Sequence, residues 1–448
     1  MGDEKRLPAA ALSRLLGLQA FFIALLEPEV RYTLGLVLLQ PGGKHGGPKV
    51  TTNPGAPALP GRLASIDAFR GFVMLLLLGE VWRFCDVAAA LPGVAFWAFL
   101  CHHQSHVPWV GCSLHDLIQP AFSFLVGVAL AFSIAGRSAA GQSRGRMIGH
   151  AFWRAFILIA LGVGLRSVRH TQTYFTFEDT LAQIGLGYGF LFLLALRPRR
   201  DQWVAFALIL VGYWAAFAAY PLPGPDFNYP AVGVPADWPH HLKGFAAHWD
   251  MNSNLAWAFD TWFLNLFPRE RPFLFNDGAW STLSFIPTLG TMILGLLAGA
   301  VLRDGSRPAA ARVRWLATAG VLGLVSGWLL NALGICPLVK RIWTSSFTLW
   351  TGGWCLLILA FAYQVIDVMG QKRWAFPLVV IGMNSIAAYC LHELSVPFVQ
   401  QALLTHLGPG LFRSLGDAYY PLVLGASGLF VFWLILLWMY KRRIFLRI

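Results

Sequence analysis

From about position 68 onward the chain is a series of long apolar runs separated by short polar stretches. The runs fall at 68–84, 117–136, 150–168, 181–196, 203–219, 283–302, 315–335, 347–368, 375–398 and 420–440. Each approaches the roughly 20 residues that an α-helix needs to cross a bilayer, and none alternates as a half-buried strand would. The pattern predicts an all-α, polytopic membrane helix bundle of about ten transmembrane helices.

The first 61 residues read differently. Leu15 to Leu26 is apolar but is interrupted by Glu27–Arg31, and a run this short does not span. Pro41 to Gly61 is rich in proline and glycine and offers no core-forming residues, the composition of a linker. A signal peptide's charged, apolar and cleavage regions are not evident. Residues 1–61 are therefore read as a poorly ordered extension, 62–448 as the transmembrane domain, and 220–282 as one large loop within it.

Charge placement orients the bundle. With Arg62 on the cytoplasmic side, every second loop should be basic. Those loops carry Arg137, Arg144 and Arg146; Arg197, Arg199 and Arg200; Arg303, Arg307, Arg312 and Arg314; Lys372 and Arg373; and Lys441, Arg442 and Arg443. The alternate loops are poorer, with Arg83, Arg169, Lys340 with Arg341, and Arg413; the long 220–282 loop holds only Lys243, Arg269 and Arg271. Both termini are thus expected in the cytoplasm of a multi-pass protein of the cell (inner) membrane.

Composition agrees. Of the 448 residues, 57% are hydrophobic and 12% charged, against about 25% charged in an average soluble domain. Nineteen tryptophans suit interfacial belts. The net charge of +13 lies in loop clusters and forms no aromatic-interleaved strip, so nucleic acid is not an expected partner. The six cysteines include no CxxC pair; Cys85, Cys101 and Cys112 are close enough in sequence to include a disulfide.

Ionisable residues in spans are costly, about 2.5–3.5 kcal/mol each on insertion scales, and commonly face a cavity or pathway. Asp67 and Arg70 open the first span as a possible i,i+3 pair, and Glu80 lies near its far end. Asp116 and Pro120 open the second. Ser345 and Ser346 enter a later span, Asn384 lies mid-span, and His392 with Glu393 stands near that span's outer end. Such hydroxyls and amides also serve as interhelical glue.

Between the first two runs, HHQSHVPWVGCSLHDLIQP (His102–Pro120) gathers four histidines on the face opposite Arg62. Three readings stand: a metal site, although no zincin or zinc-finger spacing is present; a wet interfacial loop; or acid–base or nucleophilic catalysis by one imidazole. A transporter or channel would also line its route with polar spans, but no inverted repeat or pair of broken half-helices is evident.

Six segments in order, SIDAFRGF (Ser65–Phe72), HVPWVGCSLHDLIQP (His106–Pro120), TLAQIGLGY (Thr180–Tyr188), DGAWSTLSFIPTLGTMILGLLAG (Asp277–Gly299), WTSSFTLWTGGW (Trp343–Trp354) and GMNSIAAYCLHEL (Gly382–Leu394), resemble the heparan-α-glucosaminide N-acetyltransferase family of membrane acyltransferases, including its bacterial members. The resemblance runs from about Arg62 to the C-terminus. In that family the catalytic histidine stands three residues before a Trp-x-Gly and ten before the aspartate of D-L-x-x-P; His106 meets both conditions. The resemblance implies acetyl-CoA entering from the cytoplasmic side, a glucosamine-type acceptor on the other face, and no metal. It makes His106 the catalytic candidate, with Asp116 or Glu80 orienting its ring. Arg70, Asn384 and Ser345 become candidates for holding the donor, with Arg146 and Arg154 as other phosphate partners. Trp109 and His392 are candidates for contacting the acceptor, and tryptophans of the 220–282 loop (Trp238, Trp249, Trp257, Trp262) could stack on sugar rings. Where lysosomal members carry an asparagine near the end of the first span, this chain has Glu80 and Val81. A homo-oligomer is compatible with this reading, and nothing in the sequence specifies one.

Overall fold

The computed structural model describes residues 63–168 and 170–446. The predicted extension and linker, 1–61, lie outside the described residues, as do Arg62 and Arg169. Each of the ten apolar runs becomes helix. They are α1 (Ala64–Leu78), α4 (Ile118–Ala139), α5 (Arg144–Ser167), α6 (Thr180–Ala195), α7 (Arg199–Ala219), α9 (Phe285–Arg303), α10 (Ala309–Ala332), α11 (Ser345–Ala362), the pair α12 (Phe376–Met383) and α13 (Ser385–Leu407), and α14 (Tyr420–Lys441). Short helices lie between them: α2 (Phe84–Ala90), α3 (Ala95–Gln104) and α8 (Leu255–Phe263). Among the described residues there are no named strands, and one isolated bridge joins Val110 to Val339.

Seven of these helices are long and apolar enough to cross a bilayer, and α12 with α13 pass the same test together as a pair bent by 79°. That break corrects the sequence reading, in which 375–398 was one uninterrupted run. Asn384 stops α12, with φ −126° and ψ 40°, and α13 restarts at the next residue in a new direction. The remaining two, α1 and α6, have 15 and 16 residues. The first is shorter than its apolar run because the chain tightens into a 3₁₀ turn at Gly79–Trp82 and then reverses at Arg83 in the left-handed region.

Contacts among the loops sort them onto two faces of the bundle. The 220–282 loop packs on the segment after α3 through Trp109 and Trp249, and on the α10–α11 loop through Val339 and Ile342. Arg269 and Asn276 reach back to Phe175 and Glu178 of the α5–α6 loop. Trp97 on α3 meets Tyr419 ahead of α14. Those five alternate loops therefore share one face. On the other, Arg199 lies 3.9 Å from Asp304, and Asp367 accepts from the first main-chain N–H groups of α1, the donors a helix start leaves free.

The core is built by close helix crossings, as expected where lipid and side chains are equally apolar. Helices α4 and α9 meet through Gly127 and Gly295, and α1 meets α12 through Gly71 and Gly382; a Cβ at any of the four would stand 1.8–1.9 Å from a backbone oxygen of the facing helix. These crossings bring the starts of α4 and α9 and the end of α1 together beneath the cap formed by the 220–282 loop.

Candidate active site

The segment between α3 and α4 forms the site because both of its ends are pinned. Gly111, at φ +126°, donates its N–H to the Leu338 carbonyl at 2.8 Å, a conformation that L side chains rarely adopt. Trp109 is 1% exposed and gives its indole N–H to the Trp249 carbonyl. Cys85 and Cys101 form a disulfide joining α2 to α3. The early cysteines thus include one pair, and Cys112 remains a free thiol.

His106 lies between these anchors, its side chain about one-third exposed at 35%. Its Nδ1 is 2.7 Å from Oδ1 of Asp116, which is fully buried ahead of α4. Asp116 Oδ2 accepts from the Ser113 N–H at 2.9 Å and the Val107 N–H at 3.4 Å. Lys340, from the loop before α11, brings its Nζ to 3.3 Å from Asp116 Oδ1 and 3.2 Å from His106 Nδ1 while only 4% exposed. A carboxylate surrounded by these donors acts as an acceptor. Nδ1 therefore carries the imidazole proton, and the lone pair falls on Nε2.

The electrostatics favour that neutral form. Burial holds the His106 imidazole below its ordinary value, with Lys340 and Arg341 pushing the same way and the Asp116 hydrogen bond opposing them. Burial also lowers the Lys340 ammonium, against the pull of Asp116. Cys112 is no rival nucleophile: burial, reinforced by the Asp116 charge, pushes its thiol up to about 12, and the thiol form is weakly reactive.

Other histidines have separate partners. His103 Nδ1 accepts from the Leu114 N–H at 3.1 Å. The His115 ring is 4.5 Å from that of His106, and its Nε2 is 3.4 Å from Glu80 Oε1. Glu80 Oε2 is in turn 3.8 Å from His392 Nε2. His106, His115, Glu80 and His392 form a row, in which Glu80 meets His115 and His392 while Asp116 holds His106. Among the described residues no three His, Cys, Asp or Glu side chains group as metal ligands.

The remaining predicted site residues lie elsewhere. Arg70 pairs with Asp67 at 3.5 Å, about 15 Å along α1 from Glu80 at 1.5 Å per residue. Ser345 donates to the Leu210 carbonyl at 2.7 Å. Asn384 holds the C-terminal tail, donating to the Ile444 carbonyl and accepting from the Leu446 N–H. Trp109 is packed inside the cap, where Trp249 is also fully buried. Of the other loop tryptophans, Trp238 is edge-on to Trp109, Trp257 donates to the Leu274 carbonyl, and Trp262 is 61% exposed.

Two neighbours were missed by sequence reasoning. Lys340 had been counted only as a loop charge; its signal was being a cation in a short loop on the face poor in them. Trp280 stands in a quoted segment without a role, and its ring lies 5.2 Å from that of His106, with Lys340 and Arg341 cations over it at 5.4 and 5.3 Å.

No family model matches the chain. It is 26% identical to heparan-alpha-glucosaminide N-acetyltransferase from Homo sapiens over 374 residues, 75% of this chain and 53% of that protein. It is 25% identical to the Mus musculus protein of the same name over 375 residues, 74% of this chain and 53% of that one. The chain thus matches about half the length of each of these relatives. Across three-quarters of its own length it is a distant relative of the heparan-alpha-glucosaminide N-acetyltransferases.

Proposed function

We propose that this protein is a membrane acetyltransferase that moves acetyl from cytoplasmic acetyl-CoA to a sugar-like amine or hydroxyl on the extracytoplasmic side, with His106 as the reacting base or nucleophile. The observation that carries this reading is the His106–Asp116 contact of 2.7 Å; with Nδ1 donating to that carboxylate, Nε2 is the reacting nitrogen in this reading. The names of the two relatives support acetyl transfer. The Cys85–Cys101 disulfide supports an extracytoplasmic site, since disulfides persist outside the reducing cytosol.

The chemistry balances in either order. In direct transfer the acceptor nitrogen or oxygen attacks the thioester carbonyl, Nε2 takes its proton, the C–S bond breaks, and the proton passes to the departing CoA thiolate. In the two-step form Nε2 attacks the thioester carbonyl, the C–S bond breaks and CoA leaves as the thiolate; the acceptor then attacks the acetyl carbon, the bond to Nε2 breaks, and the freed imidazole takes the acceptor's proton. Asp116 stabilises the positive imidazole in both. Lys340 holds Asp116 in place. Acetyl-CoA would be the donor substrate, with Arg70, Ser345 and Asn384 the proposed residues for its route; in this structure the latter two are engaged with backbone.

Labelled acetyl-CoA supplied outside inverted, sealed vesicles tests this reading. Wild type should transfer acetyl to glucosamine inside, while His106→Ala, inserted and folded, should lose about 10²–10⁴-fold in rate. Normal turnover by that variant removes His106 from the reaction. The break at Asn384 favours a second reading, a transporter, because discontinuous spans commonly form substrate sites; the same vesicles would then accumulate unmodified glucosamine.

A further inference from the structure

Arg341 is a cation beside His106 that the proposed reaction does not use. It stands next to Lys340 in the α10–α11 loop, and its Nη1 donates to the Gly278 carbonyl at 2.6 Å. Its Nε is enclosed and has no hydrogen-bond partner. Among the described residues Nη2 has no partner either, and it is not enclosed. Arg341 as a whole is half-buried, not sealed.

A guanidinium stays charged, and a charge drawn out of water without an opposite charge is costly. Burial holds Arg341 below its ordinary value, opposed by Asp116. Both oxygens of Asp116 are already taken, Oδ1 by His106 and Lys340 and Oδ2 by the Ser113 and Val107 N–H groups. Glu80 and Glu393 belong to the row through His115 and His392. Among the described residues no carboxylate forms an ion pair with Arg341. The group missing here is therefore an anion.

A built wall stands beside that charge. The Trp280 ring lies 5.3 Å from the Arg341 guanidinium and 5.2 Å from the His106 ring. The turn that delivers it is tightly determined: Ala279 sits at φ +53°, in the left-handed region. The Asn276 side-chain oxygen accepts from the Gly278 and Trp280 N–H groups, and Arg341 clamps the Gly278 carbonyl. Strained backbone of this kind clusters at sites that hold a ligand. No hydrogen bond joins Arg341 to His106, yet both touch one indole, so they can address one small acceptor at two points. The planar N–H donors of Arg match the oxygens of an anionic ester.

We propose that the acceptor carries an anionic oxygen group, such as a sulfate or phosphate ester, beside the amine or hydroxyl that reacts, and that Arg341 holds this group against Trp280. The acetyl-transfer reading is what makes the ligand an acceptor; binding itself needs no transfer. The phosphates of CoA are not this anion, because in that reading they stay on the cytoplasmic side, whereas Arg341 binds the 220–282 loop at Gly278.

The test measures equilibrium binding to the purified full chain in lipid nanodiscs at pH 7 and fixed ionic strength, without acetyl-CoA. The probes are radiolabelled glucosamine, glucosamine 6-sulfate and glucosamine 6-phosphate. Wild type should bind at least one ester about tenfold more tightly than glucosamine, the scale of a charge-assisted hydrogen bond. Arg341→Gln should bring that ratio to about one, and Arg341→Lys, which keeps the charge, should retain part of it. Wild type without a preference for either ester, or a preference that survives in Arg341→Gln, would overturn the proposal. A merely structural Arg341 gives that second result, since loosening the Trp280 turn weakens all three sugars together. If Arg341→Gln does not fold, the wild-type ratio decides. An Arg341-dependent preference without acetyl transfer would sink the enzymatic reading alone; transfer to glucosamine with no preference for either ester would sink this one alone.

Discussion

The Nζ of Lys340 lies 3.2 Å from Nδ1 of His106, a close approach of two nitrogens made tolerable by the Asp116 oxygen that both address. Lys340 opposes protonation of the imidazole, adding to the effect of burial. If neutral His106 is the reacting form, activity falls as pH drops through its lowered pKa. Replacing Lys340 by Met removes a charge that lowers that pKa, so the acidic limb of the kcat/KM profile should move to higher pH. The profile of free enzyme against pH checks this; an unmoved limb would show that the limb belongs to another group. The same variant leaves Asp116 without its buried cation, which should destabilise the fold by about 3 kcal/mol.

Asp116→Asn tests the imidazole's tautomer rather than its charge environment. The amide can present N–H to Nδ1, which would move the ring proton to Nε2 and block the lone pair. A loss of about 10²–10⁴-fold in kcat with little change in KM is expected, the scale of general acid–base catalysis. Steady-state kinetics of acetyl transfer decide it. A variant that loses only KM would assign Asp116 to substrate binding.

How far the sequence could be read depended on the range of the interactions. The apolar runs foretold an all-α membrane bundle, because bilayer thickness is written into local composition, although the run at 375–398 is two helices. His106 and Asp116 were singled out through the family resemblance, whose spacing both residues meet within one segment. Lys340 was not: it is 234 residues from His106 in sequence, and its own neighbourhood reads as a loop. The break at Asn384 was hidden because Gly382, Met383 and Asn384 are all tolerated in an unbroken span. Glu80 was read as a candidate for orienting His106; that its neighbours are His115 and His392 was invisible before folding.

The disulfide between Cys85 and Cys101 spans a sequence separation of 16. Closing a loop of about 15 residues removes unfolded-state entropy worth about 3 kcal/mol. Cys85→Ser should therefore lower the melting temperature, and reductant should lower it in wild type but not in the variant. Because α3 leads directly into the His106 segment, acetyl transfer should weaken along with the stability of this region. Thermal melting with and without dithiothreitol separates the two proteins, and reductant sensitivity persisting in the variant would mean that the bond matters little.

The sharpest packing test lies at the α4–α9 crossing. A Cβ on Gly127 would stand 1.9 Å from the Met292 carbonyl oxygen, and one on Gly295 1.9 Å from that of Phe124. Both obstacles are backbone, so no side chain can swing aside and the two helices must separate. Overpacking of this kind costs about 1–3 kcal/mol and sometimes more. Asp116 lies two residues before α4 and Trp280 five residues before α9, so separation should also draw the carboxylate and the Trp280 ring away from each other. Gly295→Ala should accordingly lose stability and acetyl transfer together. Gly136→Ala is the control: it lies on the same α4, and its Cβ would meet nothing within 4 Å, so it should be neutral or stabilising by up to about 1 kcal/mol from helix propensity. Equal melting temperatures for the two variants would mean that α4 and α9 do not cross at these glycines.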